Sequence, residues 1–246
     1  MKKSFTLLSA IVTILISLNA SAQDEVNLKA KSYLSFFGGI STPTSNFSST
    51  DYNNNHAAFA KKGVTFGLNT AIYVYKNLAI AATLSYQDQG ELTAADVQNL
   101  SNNYNVSFNK NQTTVTATGR YVNYNLMLGP QYSFLYKKFT LDIGAAAGFV
   151  ITSSTPSLSI IFNSNSANSN STINQLSGKG AIFGYGGNAG LRYSLGDSWD
   201  IGLKVNYINA NGIKIANTNN PGTTGRFVTK LPITEIQTTL GITLKF

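Results

Sequence analysis

The sequence of 246 residues has no cysteine and a single histidine, His56. The absence of cysteine excludes disulfide bonds, thiol nucleophiles and cysteine-bound zinc or iron–sulfur clusters, because each of these requires a sulfur atom. Charged residues make up only 11% of the chain, whereas an average soluble domain has about 25%. Hydrophobic residues reach 43%, with 13 tyrosines and 14 phenylalanines, which is too much apolar surface for a disordered chain. We therefore expect a folded chain without the charged surface of an ordinary soluble domain.

Long hydrophobic runs are also missing, apart from a short one at the N-terminus. Residues 1–3 (MKK) are basic, residues 5–18 are mainly apolar, and residues 19–23 (NASAQ) supply the small residues that a signal peptidase reads. A membrane anchor would need about 20 apolar residues, and this run is shorter and contains polar residues. The sequence predicts a signal peptide over residues 1–22, cleaved after Ala22, and an exported mature chain of residues 23–246.

From residue 31 onward, apolar and polar residues alternate with a period of two, which is typical of strands whose two faces meet different environments. In residues 63–76, Val64 and Phe66 lie on one face, while Thr65 and Gly67 lie on the other. The same alternation predicts eight strands, at residues 31–41, 63–76, 78–87, 119–135, 139–151, 180–195, 199–208 and 231–246. The expected fold class is therefore all-β.

The segments between these strands alternate between short and long. Three are hairpin-sized, at residues 76–77, 136–138 and 196–198. Four are long loops rich in Asn, Ser, Thr and Gly with little periodicity, at residues 42–62, 88–118, 152–179 and 209–230. Short periplasmic turns and long extracellular loops are typical of outer-membrane barrels. The pattern predicts one domain, an eight-stranded antiparallel transmembrane β-barrel.

The two faces of the predicted strands differ in polarity. One face is apolar and aromatic, and the other is small and polar and carries four charged residues, Asp142, Arg192, Lys204 and Glu235. Alternation alone fits both a secreted soluble barrel with an oily pocket and a membrane barrel with a wet interior. Charges in an oily pocket would be buried against hydrocarbon, whereas a barrel lumen can hydrate or pair them. We therefore place the apolar face outward, toward lipid.

The four lumen charges support two interpretations. Two charges of each sign can pair across the bore and plug it, because side chains just fill the interior of an eight-stranded barrel. Alternatively, the same charges set the ion preference of a narrow pore. The plug is the favoured interpretation, since eight strands leave little space beyond the side chains.

The C-terminus, TLGITLKF, resembles the assembly signal of bacterial outer-membrane barrels. A polar residue is followed by glycine, a hydrophobic residue and a terminal aromatic residue, here Thr239, Gly241, Leu244 and Phe246. Together with FGGISTP at residues 37–43 and AKKG at residues 60–63, this signal makes the mature chain resemble the outer membrane protein beta-barrel domain family. The resemblance implies an eight-stranded barrel that the barrel-assembly machinery inserts into the bacterial outer membrane. It implies no agreed activity.

Few residues carry the chemistry of a binding or catalytic site. His56 lies in the first long loop near Asp51, without a nucleophile partner, and no glycine-rich loop opens a helix to bind a nucleotide. We expect no catalytic residue, cofactor, metal or nucleic-acid partner. The third and fourth loops are basic, with no acidic residue, and carry Lys179, Lys214, Arg226 and Lys230. These residues either bind outer-membrane lipid, lipopolysaccharide or another anionic group, or are simply solvated.

The function that we expect from the sequence is that of a monomeric, non-enzymatic outer-membrane barrel with a structural or surface-interaction role, including contact with a surface ligand. A small passive porin-like channel is the first alternative. A surface enzyme that would depend on His56 is the second.

Overall fold

The computed structural model describes residues 30–108, 112–163, 171–218 and 228–246. The predicted signal peptide and its cleavage site lie outside these residues. Within the described ranges, no helix is long and apolar enough to cross a membrane.

The described residues form twelve strands and two helices. The strands are β1 (Tyr33–Pro43), β2 (Gly63–Tyr75), β3 (Leu78–Gly90), β4 (Gln112–Thr118), β5 (Tyr121–Tyr136), β6 (Phe139–Ser154), β7 (Ser157–Asn163), β8 (Ser171–Gln175), β9 (Gly180–Ser194), β10 (Trp199–Lys214), β11 (Asn217–Thr218) and β12 (Lys230–Lys245). The helices are α1 (Ser45–Ser48) and α2 (Ala94–Phe108). Eight strands form a closed barrel in the order β1-β12-β10-β9-β6-β5-β3-β2, and the other four form a separate sheet in the order β11-β8-β7-β4.

The eight barrel strands are those that the alternation predicts, which confirms the fold class. The barrel closes where β1 pairs with β12, with Tyr33 opposite Lys245 and Pro43 opposite Glu235. Short turns join β2 to β3, β5 to β6 and β9 to β10, as expected. β10 is longer than predicted: it ends at Lys214 rather than at residue 208, after an irregularity in its pairing with β12 beyond Ala210.

The two faces of the barrel have the polarity that the sequence predicts. The outward side chains are apolar, and those near the middle of their strands are well exposed on the isolated chain, such as Leu240 at 63% and Leu203 at 47%. The inward side chains are polar and buried, including Asn125, Glu235 and Gln237 at 0%. An apolar exterior around a polar interior is the arrangement of a barrel that faces lipid.

Three of the four long connections contain strands or a long helix, which the sequence pattern does not indicate. Residues 88–118 contain α2 and β4, residues 152–179 contain β7 and β8, and residues 209–230 contain the end of β10 and β11. These added elements lie at the end of the barrel opposite the short turns, which is the extracellular end. We call α2 and the sheet β11-β8-β7-β4 the cap.

The cap has a hydrophobic core of its own, to which the first long connection also contributes. Its buried members are Tyr52, Ala57, Phe59, Leu100, Tyr104, Val115, Leu158, Ile160, Phe162 and Ile173. The aromatic rings of Tyr104 and Phe162 pack edge to face, with their centroids 6.2 Å apart. Because the cap strands come from three different connections, each one finds its apolar partner only in the folded molecule.

Hydrogen bonds hold α2 at its start and along β4. Thr93 and Asp96 form a capping box, in which Asp96 N–H donates to the Thr93 hydroxyl (3.2 Å) and Thr93 N–H donates to the Asp96 carboxylate (3.0 Å). Burial opposes ionisation of Asp96, but hydrogen bonds from Thr93 and Lys61 outweigh burial and lower the pKa of this carboxyl. Ser101 donates to the Thr113 carbonyl (2.6 Å) and accepts from Val115 N–H (3.2 Å). β4 is an edge strand of the cap sheet. Ser101 therefore satisfies two backbone groups of β4 that would otherwise have no partner strand.

Candidate functional site

The periplasmic end of the lumen contains a network centred on Arg192. The guanidinium donates to both oxygens of Asp142, from Nε at 2.7 Å and from Nη2 at 3.2 Å. Nη1 donates to Asp200 at 2.9 Å, and Lys245 approaches the other Asp200 oxygen at 2.6 Å. Two cations and two carboxylates therefore neutralise each other inside the barrel, in the charge-assisted geometry that arginine favours.

Two tyrosines complete what we call the arginine layer, which consists of Arg192, Asp142, Asp200, Lys245, Tyr33 and Tyr73. The Arg192 guanidinium lies over the Tyr33 ring, with Cζ 4.2 Å from the ring centroid, a cation–π arrangement. Arg192 Nη2 also lies 3.4 Å from the Tyr73 hydroxyl. Side chains from β1, β2, β6, β9, β10 and β12 thus meet across the bore.

Lys204 lies in the lumen and is connected to the arginine layer only indirectly, through Asn69. Its ammonium donates to Asn69 Oδ1 at 2.8 Å, and the described residues offer it no carboxylate within ion-pair distance. Asn69 in turn donates to the Tyr33 hydroxyl at 3.0 Å. The Lys204 ammonium is therefore held by a hydrogen bond to a neutral amide, just above the arginine layer.

Glu235 lies nearer the extracellular end, in a separate group that we call the glutamate cage. Four neutral side chains donate to its carboxylate, Ser41 at 2.8 Å, Gln89 at 2.9 Å, Gln237 at 3.0 Å and Asn125 at 3.1 Å. The cage consists of Glu235, these four residues and Gln87, which donates to the adjacent Ser85 hydroxyl at 3.1 Å. All of its side chains point into the lumen and are buried.

The structure thus brings together only one pair of the four predicted lumen charges, Asp142 with Arg192. Among the described residues, Lys204 has no carboxylate within ion-pair distance and Glu235 accepts hydrogen bonds only from neutral side chains, so the four residues do not form one ion-pair network across the bore. Sequence reasoning also missed Asp200 and Lys245, which complete the arginine layer. The alternation along the strands could have identified both residues as facing the lumen. Asp200 is on the same face of β10 as Lys204, and Lys245 is on the same face of β12 as Glu235.

Three of the predicted basic residues lie at the extracellular rim. Lys214 and Lys230 are directly opposite each other on β10 and β12 and are both exposed. Lys179 is exposed as well, and its neighbour Gly178 approaches the Lys214 carbonyl. Arg226 lies outside the described residues. The lysines therefore form a group that we call the rim lysines, Lys179, Lys214 and Lys230.

The four residues of the predicted assembly signal lie on or next to β12. Thr239 faces the lumen and donates to the Lys204 carbonyl at 3.2 Å, and Gly241 lies opposite Phe37 of β1. Leu244 and Phe246 point outward and are exposed. The Phe246 N–H donates to the Ser32 carbonyl at 2.9 Å, which ties the chain end to the start of the barrel.

His56 has the surroundings of a solvated loop residue. Its ring Nδ1 lies 3.1 Å from the Lys230 carbonyl oxygen, and its backbone N–H donates to Asn54. Among the described residues, no serine hydroxyl or carboxylate forms a hydrogen bond with its ring. The geometry provides none of the nucleophile–base–orienter contacts of a hydrolase triad.

Solved structures with similar folds are small outer-membrane proteins of low sequence identity. Neisserial surface protein A is 12% identical, covers 89% of this chain and 99% of its own, and has a TM-score of 0.46. The attachment invasion locus protein Ail of Yersinia pestis is 10% identical, with coverages of 89% and 100% and a TM-score of 0.44. Outer membrane protein W of E. coli is 15% identical, with coverages of 89% and 99% and a TM-score of 0.41.

No curated protein matches the sequence. A family model does match, that of the outer membrane protein beta-barrel domain, over residues 8–229. This match covers most of the chain and ends just before β12, the strand that closes the barrel in the structure. With its closed eight-stranded barrel, apolar exterior and polar lumen, the chain belongs to the outer membrane protein beta-barrel domain family and is a bacterial outer-membrane β-barrel.

Proposed function

We propose that the protein is a closed membrane anchor that presents its folded cap to ligands at the cell surface. The observation that carries this proposal is the combination of a lumen filled by two polar layers with extracellular segments that have their own hydrophobic core. A porin-like channel needs a continuous aqueous path. A binding protein needs a rigid support for its surface segments.

The filled lumen argues against conduction. The arginine layer spans the bore near the periplasmic end, and the glutamate cage occupies the lumen nearer the extracellular end. The space beside Lys204, between Asn69 and Thr239, is only large enough for a few water molecules. An ion would have to displace Arg192 from two carboxylates to pass, and breaking such buried charge pairs is costly.

We expect the refolded mature protein to be electrically silent in a planar bilayer, because buried polar side chains of the described residues fill the lumen at both polar layers. The measurement is single-channel conductance in 1 M KCl, with Lys204→Glu recorded alongside and a porin as positive control. A heat-dependent shift in gel mobility confirms that the silent protein is folded. Reproducible conductance steps whose ion selectivity changes in Lys204→Glu would make the protein a channel and overturn the closed-anchor proposal.

We further propose that anionic groups of the outer leaflet, such as the phosphates of lipopolysaccharide, bind at the rim lysines. Lys214 and Lys230 face each other across the β10–β12 ladder on the outer side of the barrel. Like charges directly opposite each other destabilise a sheet, and an anion bound between them would remove this repulsion. Their position beyond the apolar belt matches the level of lipid headgroups and their sugars.

Added lipopolysaccharide is therefore expected to raise the unfolding temperature of the protein in zwitterionic detergent, since a ligand of the folded state stabilises it. The double variant Lys214→Gln/Lys230→Gln is expected to lose most of this increase. The matched control is Lys137→Gln/Lys138→Gln, which removes two exposed lysines from a periplasmic turn. An equal loss in both double variants would mean non-specific charge attraction and would contradict a site at the rim.

A further inference from the structure

The glutamate cage contains a carboxylate with no positive partner. Glu235 is fully buried, and in the described part of the chain no lysine, arginine or histidine lies within ion-pair distance of it. The other lumen cations are engaged elsewhere: Arg192 with Asp142, Lys245 with Asp200 and Lys204 with Asn69. A buried carboxylate without a counter-charge is costly, and buried charges in proteins are normally paired or bound to a cation.

The same cage contains amide oxygens without a donor. Gln87 Oε1, Gln89 Oε1 and Asn125 Oδ1 are all buried, and none of them accepts a hydrogen bond. Gln89 and Asn125 already touch Glu235 through their amide nitrogens, at 2.9 and 3.1 Å. Since the oxygen and nitrogen of one amide are about 2.3 Å apart, these two oxygens lie within about 5–6 Å of the carboxylate. The cage therefore contains three buried acceptor oxygens that no donor satisfies.

Carboxylate and amide oxygens are the ligands that hard cations prefer. A half-turn of an amide group exchanges its oxygen and nitrogen at little steric cost. Gln89 and Asn125 would thereby exchange their hydrogen bonds to Glu235 for oxygens that face an ion beside the carboxylate. One carboxylate balances one positive charge. No cluster of three or more His, Asp or Glu residues suited to a metal ion occurs among the described residues, so the composition does not favour a divalent ion.

We propose that the glutamate cage is a binding site for a monovalent alkali cation, sodium or potassium. Glu235 supplies the charge, and Gln89 and Asn125 supply neutral oxygen ligands. The ligands come from β3, β5 and β12, and Ser41 of β1 holds the carboxylate. A bound ion would therefore connect strands on both sides of the seam where β1 meets β12 and would stabilise the barrel beneath the cap.

The test is the unfolding temperature of the refolded mature protein at constant ionic strength, with N-methylglucamine chloride replaced stepwise by NaCl or KCl. Wild type is expected to gain about 3–6 °C for each tenfold rise in alkali cation above its dissociation constant. Glu235→Gln is expected to show no such gain. Gln89→Met keeps the carboxylate but removes one ligand oxygen, so its response should move to higher cation concentration.

Asp88→Asn is the matched control, because Asp88 is paired with Arg120 at the rim, outside the cage, and this variant should respond as wild type does. If wild type unfolds at the same temperature in N-methylglucamine, sodium and potassium chloride, the cage holds water only and the proposal is wrong. A response to calcium chloride alone would also overturn it. If Glu235→Gln does not refold, the test rests on Gln89→Met. An unchanged cation concentration at the midpoint of its stabilisation, relative to wild type, contradicts the proposal.

Discussion

Replacement of Arg192 with methionine is expected to lower the free energy of unfolding of the barrel by about 3–5 kcal/mol, the usual cost of leaving a buried charge without its partner. Arg192 makes two hydrogen bonds to Asp142 and one to Asp200. Asp200 retains Lys245 in the variant, but Asp142 loses the cation that faces both of its oxygens. The measurement is urea unfolding of the protein refolded in lipid vesicles.

Arg120→Met is the matched control, because the Arg120 side chain is 51% exposed in its pair with Asp88. Exposed ion pairs contribute about 0–1 kcal/mol, so this variant should be nearly as stable as wild type. The double variant Arg192→Met/Asp142→Asn should recover part of the loss, since it removes the stranded charge. Equal stability of Arg192→Met and Arg120→Met would mean that water reaches Asp142 freely, and the lumen would then be open.

Leu203→Arg is expected to destabilise the membrane-inserted barrel by about 2–4 kcal/mol, the cost of placing arginine at the bilayer midplane on the lipid face of a barrel. Leu203 points outward from the middle of the apolar stretch of β10, between Trp199 and Tyr207. The new guanidinium would have to displace lipid or draw water into the hydrocarbon. Urea titration in vesicles measures the loss.

Leu195→Arg makes the same chemical change in the short turn between β9 and β10, where Leu195 is exposed at the membrane edge. Here the expected cost is about 0–1 kcal/mol, because the guanidinium can reach water. The difference between the two variants reports the lipid environment rather than the substitution itself. If both variants were equally stable in vesicles, the outer face of β10 would not contact hydrocarbon.

The barrel was predictable because its signal is local. In a strand with lipid on one side and polar groups on the other, every second residue is apolar, and this period can be read without knowing which strands pair. Val64 and Phe66, for example, have the outward exposure that their parity predicts. The cap was not predictable in this way, because β4 pairs with β7 and β8 pairs with β11 from different connections.

The lumen charges likewise combine a feature that the sequence predicts, their position in the interior, with one that it does not, their partners. Strand parity places Asp142, Arg192, Lys204 and Glu235 in the interior, and the structure has them there. Parity does not determine which charges meet. Arg192 reaches Asp142 because β6 and β9 are neighbours in a register that sets Thr140 opposite Arg192. Glu235 meets only neutral groups, because Ser41, Gln89 and Asn125 come to the same height from three other strands.

The sequence by itself therefore determined the membrane class, the eight barrel strands, the lipid-facing side and the short-turn end, since each depends on patterns along one segment of chain. The tertiary structure alone decided the cap, the arginine layer and the isolated carboxylate of the glutamate cage. These features depend on strand register and barrel closure, which bring together residues far apart in the chain. The proposed ligand sites belong to this second group, because charge compensation is a property of neighbours in space.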